Sequence, residues 1–572
     1  MSRFRSLRWP VQQNPAVDDS GSETGTAITR SPGRTPRWVI GRQPDRRDGA
    51  LTVGPRITGR QWWQLGAVMA VASVIYLVHS FLRFRNFEAK GYDLGIFDQA
   101  VRQYALFREP IVPIKGVDFN ILGDHFHPVI ALAAPLYWIW DDPRMLGIAM
   151  TALLVSTAVP VYLFARRRFS HATALIGAAA LLLWWPFQAM VNWDFHEVAF
   201  GVPIAAWVIW AIDGRRYWLA TLFAVSLLTV REDMGITLLA IAMVLAIKRA
   251  WLPAVVTAVL GVAGYVFATS VVIPHFSPEG EFGYWQFTAL GPDMGSSIAF
   301  ILSQPLDAVA VLFDHPLKIG LWLLHFVALW LLPFLSPYTL IGAPILLSRL
   351  FNDRLNVWSP VYQYDAILAP IFLLAALEAL ARIGVWREAR RQSRAQSWAQ
   401  SPDPARRRRT GSAATTCLPA PGVSLQGRLP LVFVSVLLGG GVLGTAIFPQ
   451  VFPLHRTATG ENWQMTEWAH ALDRAVDTIP DDVCVEAADN AVPHLVDRTY
   501  VGLHGDMGDE LATWMIIDTT VEELGGWDPL TPDEALQRAE RLGYEVVTED
   551  DHGIWVLHRD QPVDPVCADY VP

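Results

Sequence analysis

Residues 62–82, WWQLGAVMAVASVIYLVHSFL, and the nearby KGYDLGIFDQAVRQY at 90–104 decide the fold. The first run is apolar for about 20 residues, enough to cross about 30 Å of hydrocarbon. The second places Asp93 and Asp98 among glycine, aromatic and aliphatic residues just beyond that crossing. Charged groups at a membrane boundary cost free energy unless paired or wet, so they are functional candidates. The rest of the chain repeats the theme. Of 572 residues, 52% are hydrophobic and only 17% charged, and mean hydropathy is positive. A single soluble globule is excluded, and a polytopic helical membrane protein is expected.

Ten further apolar spans are expected at 144–165, 172–190, 197–213, 216–231, 234–248, 252–273, 317–334, 337–350, 364–382 and 430–448, about eleven in all. VIALAAPLYWIW (129–140) reads as a half-buried outer helix rather than a crossing. Loop charge then sets orientation, because Arg and Lys flanking spans stay in the cytoplasm. This topology puts ARRR (165–168), DGRR (213–216), KR (248–249) and an Arg-rich linker inside. YDLGIFDQ, GDHFHP, WDFHE and RED fall outside.

Five regions follow. Residues 1–60 are polar and Arg-rich and lack the short apolar core of a secretory signal. They read as a disordered cytoplasmic tail before an uncleaved signal-anchor. Residues 61–382 form the transmembrane bundle with its outer loops. Residues 383–429 read as a disordered cytoplasmic linker suited to anionic lipid headgroups. No folded basic domain accompanies it, which argues against nucleic acid. Residues 430–449 form the last crossing. Residues 450–572 are acidic and lack lysine, which suits an extracytoplasmic α/β domain. There DDVCVEAADN and TWMIIDTT read as strands. TPDEALQRAERLG reads as a capped helix ending at Gly543, and YEVVTEDDHGIWVLHR as a hairpin. Cys417 falls in the inside linker. Cys484 and Cys567 share the outer domain, where an oxidising compartment permits a disulfide.

Four outer motifs carry chemistry. Asp93 suits an N-cap or a catalytic acid, and Asp98 suits water or an i,i+4 pair with Arg102. In LGDHFHP (122–128), Asp124, His125 and His127 are good ligand types for a divalent cation, or the start of a capped helix. VNWDFHEVAF (191–200) packs Asp194, His196 and Glu197 among aromatics. VREDMG (230–235) sets Arg231 beside Glu232 and Asp233, and a guanidinium fork pairs well with oxyanions. Together the motifs predict one polar chamber at the outer boundary.

In order and number, YDLGIFDQA, GDHFHPVIALAAPLYW, FHEVAFGVP, REDMG, YQYDAILAP and NAVPHLVDR…WMIIDT resemble the bacterial membrane family DUF2079. That family is similar in layout to the GT-C glycosyltransferases, which place a catalytic acid in the first outer loop and use a polyprenyl-phosphate sugar. The resemblance implies Asp93 as general base. It implies a lipid phosphate met by Arg231, with Lys90 or Arg102 assisting. A Mg or Mn ion held among Asp124, His125, His127, His196 and Glu197 would be the other source of positive charge. Asp98, Glu232, Asp233, Tyr362 and Tyr364 would line the acceptor pocket, and the outer domain would bind a glycan or protein acceptor. Two other classes stay open: a transporter of a small or lipid-linked solute, and a non-catalytic envelope assembly or sensor protein. Transporters tend to hold ionisable groups near the midplane, whereas these cluster at one face. No glycine-rich nucleotide loop, nucleophile elbow or zinc-protease helix is present.

Overall fold

All eleven apolar stretches contain helix in the computed structural model, which describes residues 56–399 and 428–570 apart from Tyr284, Asp528 and Asp569. The N-terminal tail up to Pro55, the ARRRR run and Cys417 lie outside the described residues. Six helical segments are long and apolar enough to cross a membrane: Gly59–Arg85, Arg144–Arg166, His171–Trp193, Trp251–Phe276, Gln363–Arg394 and Arg428–Ile447. The other five are shorter: Val198–Asp213, Tyr217–Thr229, Met234–Ile247, Pro316–Val327 and Thr339–Phe351. At 1.5 Å per residue, their 12–16 residues rise only about 18–24 Å, less than the about 30 Å of hydrocarbon. Two of these short helices begin directly after WDFHE and RED. Their site loops are drawn into the bundle, where Glu197 and Glu232 are buried.

Two features depart from the sequence reading. Residues 274–316, assigned no helix, contain the apolar pair Met294–Ser303 and Pro305–Val311, bent by 112° at Gln304. Pro305 lacks the N–H needed to continue the first helix. Second, the linker expected to be disordered from 383 begins as helix. Leu368–Ala399 runs unbroken because REARRQSRAQSWA consists mostly of good helix formers, with no Pro or Gly.

The C-terminal α/β domain holds a five-stranded sheet ordered β2-β1-β3-β5-β4. Its strands are β1 Cys484–Ala487, β2 Tyr500–Gly502, β3 Trp514–Asp518, β4 Glu545–Glu549 and β5 Ile554–His558. β1 pairs in parallel with β2 and β3, while β5 runs antiparallel to β3 and β4. Helix Pro532–Arg541 opens on a Thr531/Glu534 capping box, and Gly543 follows it at φ 78°. A disulfide joins Cys484 and Cys567, whose Cα atoms are 5.4 Å apart. The short strand β2 and helix Glu467–Thr478 have no counterpart in the sequence reading.

The domain is seated on the bundle through the turn after β1. The Asp489 carbonyl accepts from Gly91 N–H at 2.7 Å, and Asn490 Nδ2 donates to the Phe87 carbonyl at 2.6 Å. His494 packs against Phe84 and Phe87, with ring centroids at 4.1 and 3.9 Å. The backbones come so close that a Cβ on Gly91 would lie 2.6 Å from Val492 Cβ. This contact is what the glycine in KGYDLG permits, and DNAVPHLVDR is the surface that uses it.

Candidate functional site

The first site element is a single π-helical turn, Gly91–Gly95, between the first crossing and helix Ile96–Ala105. Such turns often occur at functional sites. It carries Asp93, whose Oδ1 meets His196 Nε2 at 3.1 Å. His196 comes from the turn after Trp193, where Asp194 adopts φ 86°, ψ 178°, a region costly for any residue but glycine. An ion pair from Arg83 to the Asp194 carboxylate holds this turn. Burial disfavours a charged His196, but the Asp93 carboxylate more than offsets it and raises the imidazole above its ordinary value.

The second element is the Arg231–Asp233 loop. The Arg231 guanidinium lies 3.8, 3.9 and 3.6 Å from Glu197, Glu232 and Asp233. Glu232 also meets His125 Nδ1 at 2.9 Å and accepts from Phe126 N–H at 3.1 Å. Burial works against both charges of this pair. The pairing wins, moving His125 up and Glu232 down to about 2. Asp233 moves the other way, raised by burial and by Glu232 despite Arg231.

These groups face a cavity of about 320 Å³. Glu197, Arg231, Glu232, Asp233 and His125 line it, as does Tyr364. Part of its apolar wall comes from the first helix of the bent pair and the strap before it, including Phe287, Leu290, Met294, Ile298 and Ile301. Met294, Ile298 and Ile301 line the cavity while remaining 41%, 50% and 38% exposed, so this side opens to the surface. Asp93 and His196 do not themselves line the cavity; His196 directly precedes Glu197, which does.

Two cavity arginines escaped the sequence reading. Arg349 pairs with the fully buried Asp365, which also meets His325 Nε2 at 2.7 Å. Arg354 lines the cavity and stacks under Trp527 of the C-terminal domain, 4.9 Å from the ring centroid. Among the described residues no ion pair engages it. Asp365 sits inside YQYDAILAP and offered a signal. Arg354, in the loop between Phe351 and Leu355, offered none.

Other predicted residues are placed elsewhere. Asp98 is buried against Arg102 Nε and the Tyr137 hydroxyl, each at 2.5 Å, and Arg102 also pairs with Asp141. Neither lines the cavity; the pair ties helix Ile96–Ala105 to Tyr137 and Asp141. Lys90 pairs with Asp489 at 3.1 Å. Tyr362 packs edge-on against Trp193 at 4.2 Å, next to Tyr364.

The predicted metal ligands are divided among different partners. Asp124 faces Lys115 at 3.5 Å, His125 faces Glu232, His196 faces Asp93, Glu197 faces Arg231, and His127 packs near Phe97. Among the described residues no three Asp, Glu, His or Cys side chains are grouped to hold an ion. The residues present do not fit a three-ligand centre, and no chemical step is routed through one.

The overall architecture is similar to that of ArnT from Cupriavidus metallidurans bound to undecaprenyl phosphate. The TM-score is 0.51 at 14% identity, over 89% of this chain and 100% of that one. ArnT in the apo state gives 0.49 at 15% identity, over 87% and 98%. The Archaeoglobus fulgidus oligosaccharyltransferase tethered with an acceptor peptide gives 0.37 at 11% identity, over 88% and 75%. Only the first score reaches a level at which a shared fold follows, and that fold is GT-C-like. No curated protein matches the chain in sequence. The model of the family described as "Predicted membrane protein (DUF2079)" matches residues 83–401, more than half of the chain, and the protein belongs to that family.

Proposed function

We propose that this protein is a GT-C-like glycosyltransferase that moves a sugar from a polyprenyl-phosphate donor to an extracytoplasmic glycan or protein. One observation carries the reading. The Asp93 carboxylate is hydrogen-bonded to His196, whose chain neighbour Glu197 lines a cavity that combines guanidinium groups with an open apolar wall. The apolar wall suits a prenyl chain, and the arginines suit its phosphate. The undecaprenyl phosphate bound to ArnT is a ligand of that chemistry. The loop charges support a plasma-membrane orientation with the N-terminus cytoplasmic and the C-terminal domain outside.

In this reaction Asp93 takes the proton of the acceptor hydroxyl as that oxygen bonds to the anomeric carbon. The bond from that carbon to the donor phosphate oxygen breaks, and its electron pair leaves on the polyprenyl phosphate. His196 orients Asp93 through their hydrogen bond. Arg354 meets the charge that grows on the leaving group, while Arg231 and Arg349, engaged by carboxylates, hold the loops around it. A positioned base contributes about 10²–10⁴-fold.

The test uses full-length protein in nanodiscs, a panel of radiolabelled polyprenyl-phosphate sugars and a cell-envelope acceptor fraction. Asp93→Asn should lower turnover about 10²–10⁴-fold while donor still binds. Wild-type turnover in that variant removes Asp93 as the base. Absence of both donor binding and turnover across the panel ends the transferase reading. A transporter is favoured by one feature, the His325–Asp365–Arg349 network buried in the bundle. Solute uptake into proteoliposomes without sugar transfer would establish it instead.

A further inference from the structure

We infer that the C-terminal domain contributes to the donor site through Trp527, which acts as a positioning residue for Arg354. This inference rests on the transferase reading above. Arg354 reaches the cavity from a loop that follows helix Thr339–Phe351, and no carboxylate among the described residues pairs with it. What lies against its guanidinium is the indole of Trp527. A planar cation on an aromatic face is fixed in plane while its N–H edges stay available, which suits bidentate contact with phosphate.

The loop that carries Trp527 is built to reach this position. Gly525 and Gly526 adopt φ 97° and 111°, and a Cβ on Gly525 would lie 2.5 Å from Asp489 Cβ. The loop is closed by Leu524 N–H donating to the Leu530 carbonyl at 3.0 Å. Asp489 joins it to the Asp93 turn. Its N–H donates to the Leu524 carbonyl at 3.2 Å, its carbonyl accepts from Gly91, and its carboxylate takes Tyr92 N–H at 2.8 Å and Lys90 Nζ at 3.1 Å. One residue of the outer domain therefore holds both the base-bearing turn and the Trp527 loop.

Sheet topology agrees. β1 is flanked on both sides by parallel strands, and open parallel sheets bind ligands beyond the carboxyl end of the strand where order reverses. At that point, just past Ala487, the domain receives Lys90–Tyr92 of the bundle. The crevice that such a domain would use alone is spent on completing a site between domain and bundle.

The experiment titrates full-length protein in nanodiscs with undecaprenyl phosphate and, as a control for the chain, undecaprenol. Trp527→Ala should weaken the phosphate about tenfold and leave the alcohol unchanged, while Trp527→Phe should keep most of the affinity. In an Arg354→Gln background, Trp527→Ala should cost nothing further. Arg354→Lys, which keeps the charge but loses the planar face, should also weaken the phosphate about tenfold and leave the alcohol unchanged, a test that holds where Trp527→Ala does not fold. Undiminished phosphate binding by Trp527→Ala, or equal loss of phosphate and alcohol, overturns the inference while leaving the transferase reading intact. Wild type that does not prefer undecaprenyl phosphate to undecaprenol overturns both.

Discussion

Gly91→Ala tests whether the C-terminal domain holds the Asp93 turn. The added Cβ would lie 2.6, 2.7 and 3.1 Å from Val492 Cβ, Cγ1 and Cγ2, all on one side chain of the C-terminal domain. Val492 is fully buried and cannot swing into solvent. Overpacking of this kind costs about 1–3 kcal/mol. The cheapest relief is to lift the turn from the domain, stretching the bonds that Gly91 and Tyr92 donate to Asp489. At 1.4 kcal/mol per decade, the population with that contact open rises about 5- to 150-fold. Hydrogen–deuterium exchange of peptides spanning 88–96 and 488–497 should accelerate by that factor, while the sheet around β3 stays protected. Val492→Ala removes two of the three close atoms, so in the double variant part of the acceleration should disappear. Unchanged exchange in Gly91→Ala, or no recovery in the double variant, would show that the turn and the domain are not coupled through this contact.

Three further outcomes are expected. The Glu232–His125 pair stabilises most when both are charged. The depressed Glu232 contributes fully above its ordinary value of 4.5, losing this as pH falls toward about 2; the raised His125 contributes fully below 6.5, losing this as pH rises through its elevated value. The thermal stability of wild type over His125→Gln should therefore be greatest between pH 4.5 and 6.5, and a gap that keeps growing above that window contradicts the pairing. Replacing Cys484 and Cys567 by serine should cost about 2–5 kcal/mol in unfolding of the C-terminal domain; equal urea midpoints with and without reductant would contradict the cross-link. Because the carboxylates and imidazoles near the cavity are engaged by counter-charges, EDTA should leave transfer intact, and a loss restored by Mn²⁺ would show that those pairs open to form a metal site.

Long-period features were legible in the sequence. The six long helices fall where hydropathy put them, and hairpin β4–β5 turns at Asp550–Gly553 as DHG indicated. The features that escaped are short or depend on partners. β2 has three residues, too few to show an alternation, and is recognised only by its register on β1. The bent pair escaped because each half is too short to read as a span, with Pro305 between them. Asp98 and Arg102 were legible as an i,i+4 pair, but their burial depends on Tyr137 and Asp141, distant in sequence. Asp93 with His196 and Glu197 with Arg231 were legible only as a shared face, because hydropathy orders the spans without specifying which loops touch.

Charge balance separates the cavity's arginines in a way that residue type alone does not. Arg231 is surrounded by Glu197, Glu232 and Asp233, and His125 supplies the only other nearby positive charge in that group. Burial raises Asp233, which relieves some of the excess negative charge but leaves Arg231 with no surplus for an incoming anion. Arg349 is likewise committed to Asp365. Such compensated guanidinium groups shape a field and hold loops in register, but they attract a phosphate weakly. Arg354 has a neutral aromatic face where the others have carboxylates, so its charge is unspent and its attraction for an oxyanion is not cancelled locally. The residue best placed to meet a lipid phosphate thus comes from an unpatterned loop, and its partner comes from the domain outside the bundle. On the transferase reading, that arrangement ties donor recognition to the docking of the C-terminal domain.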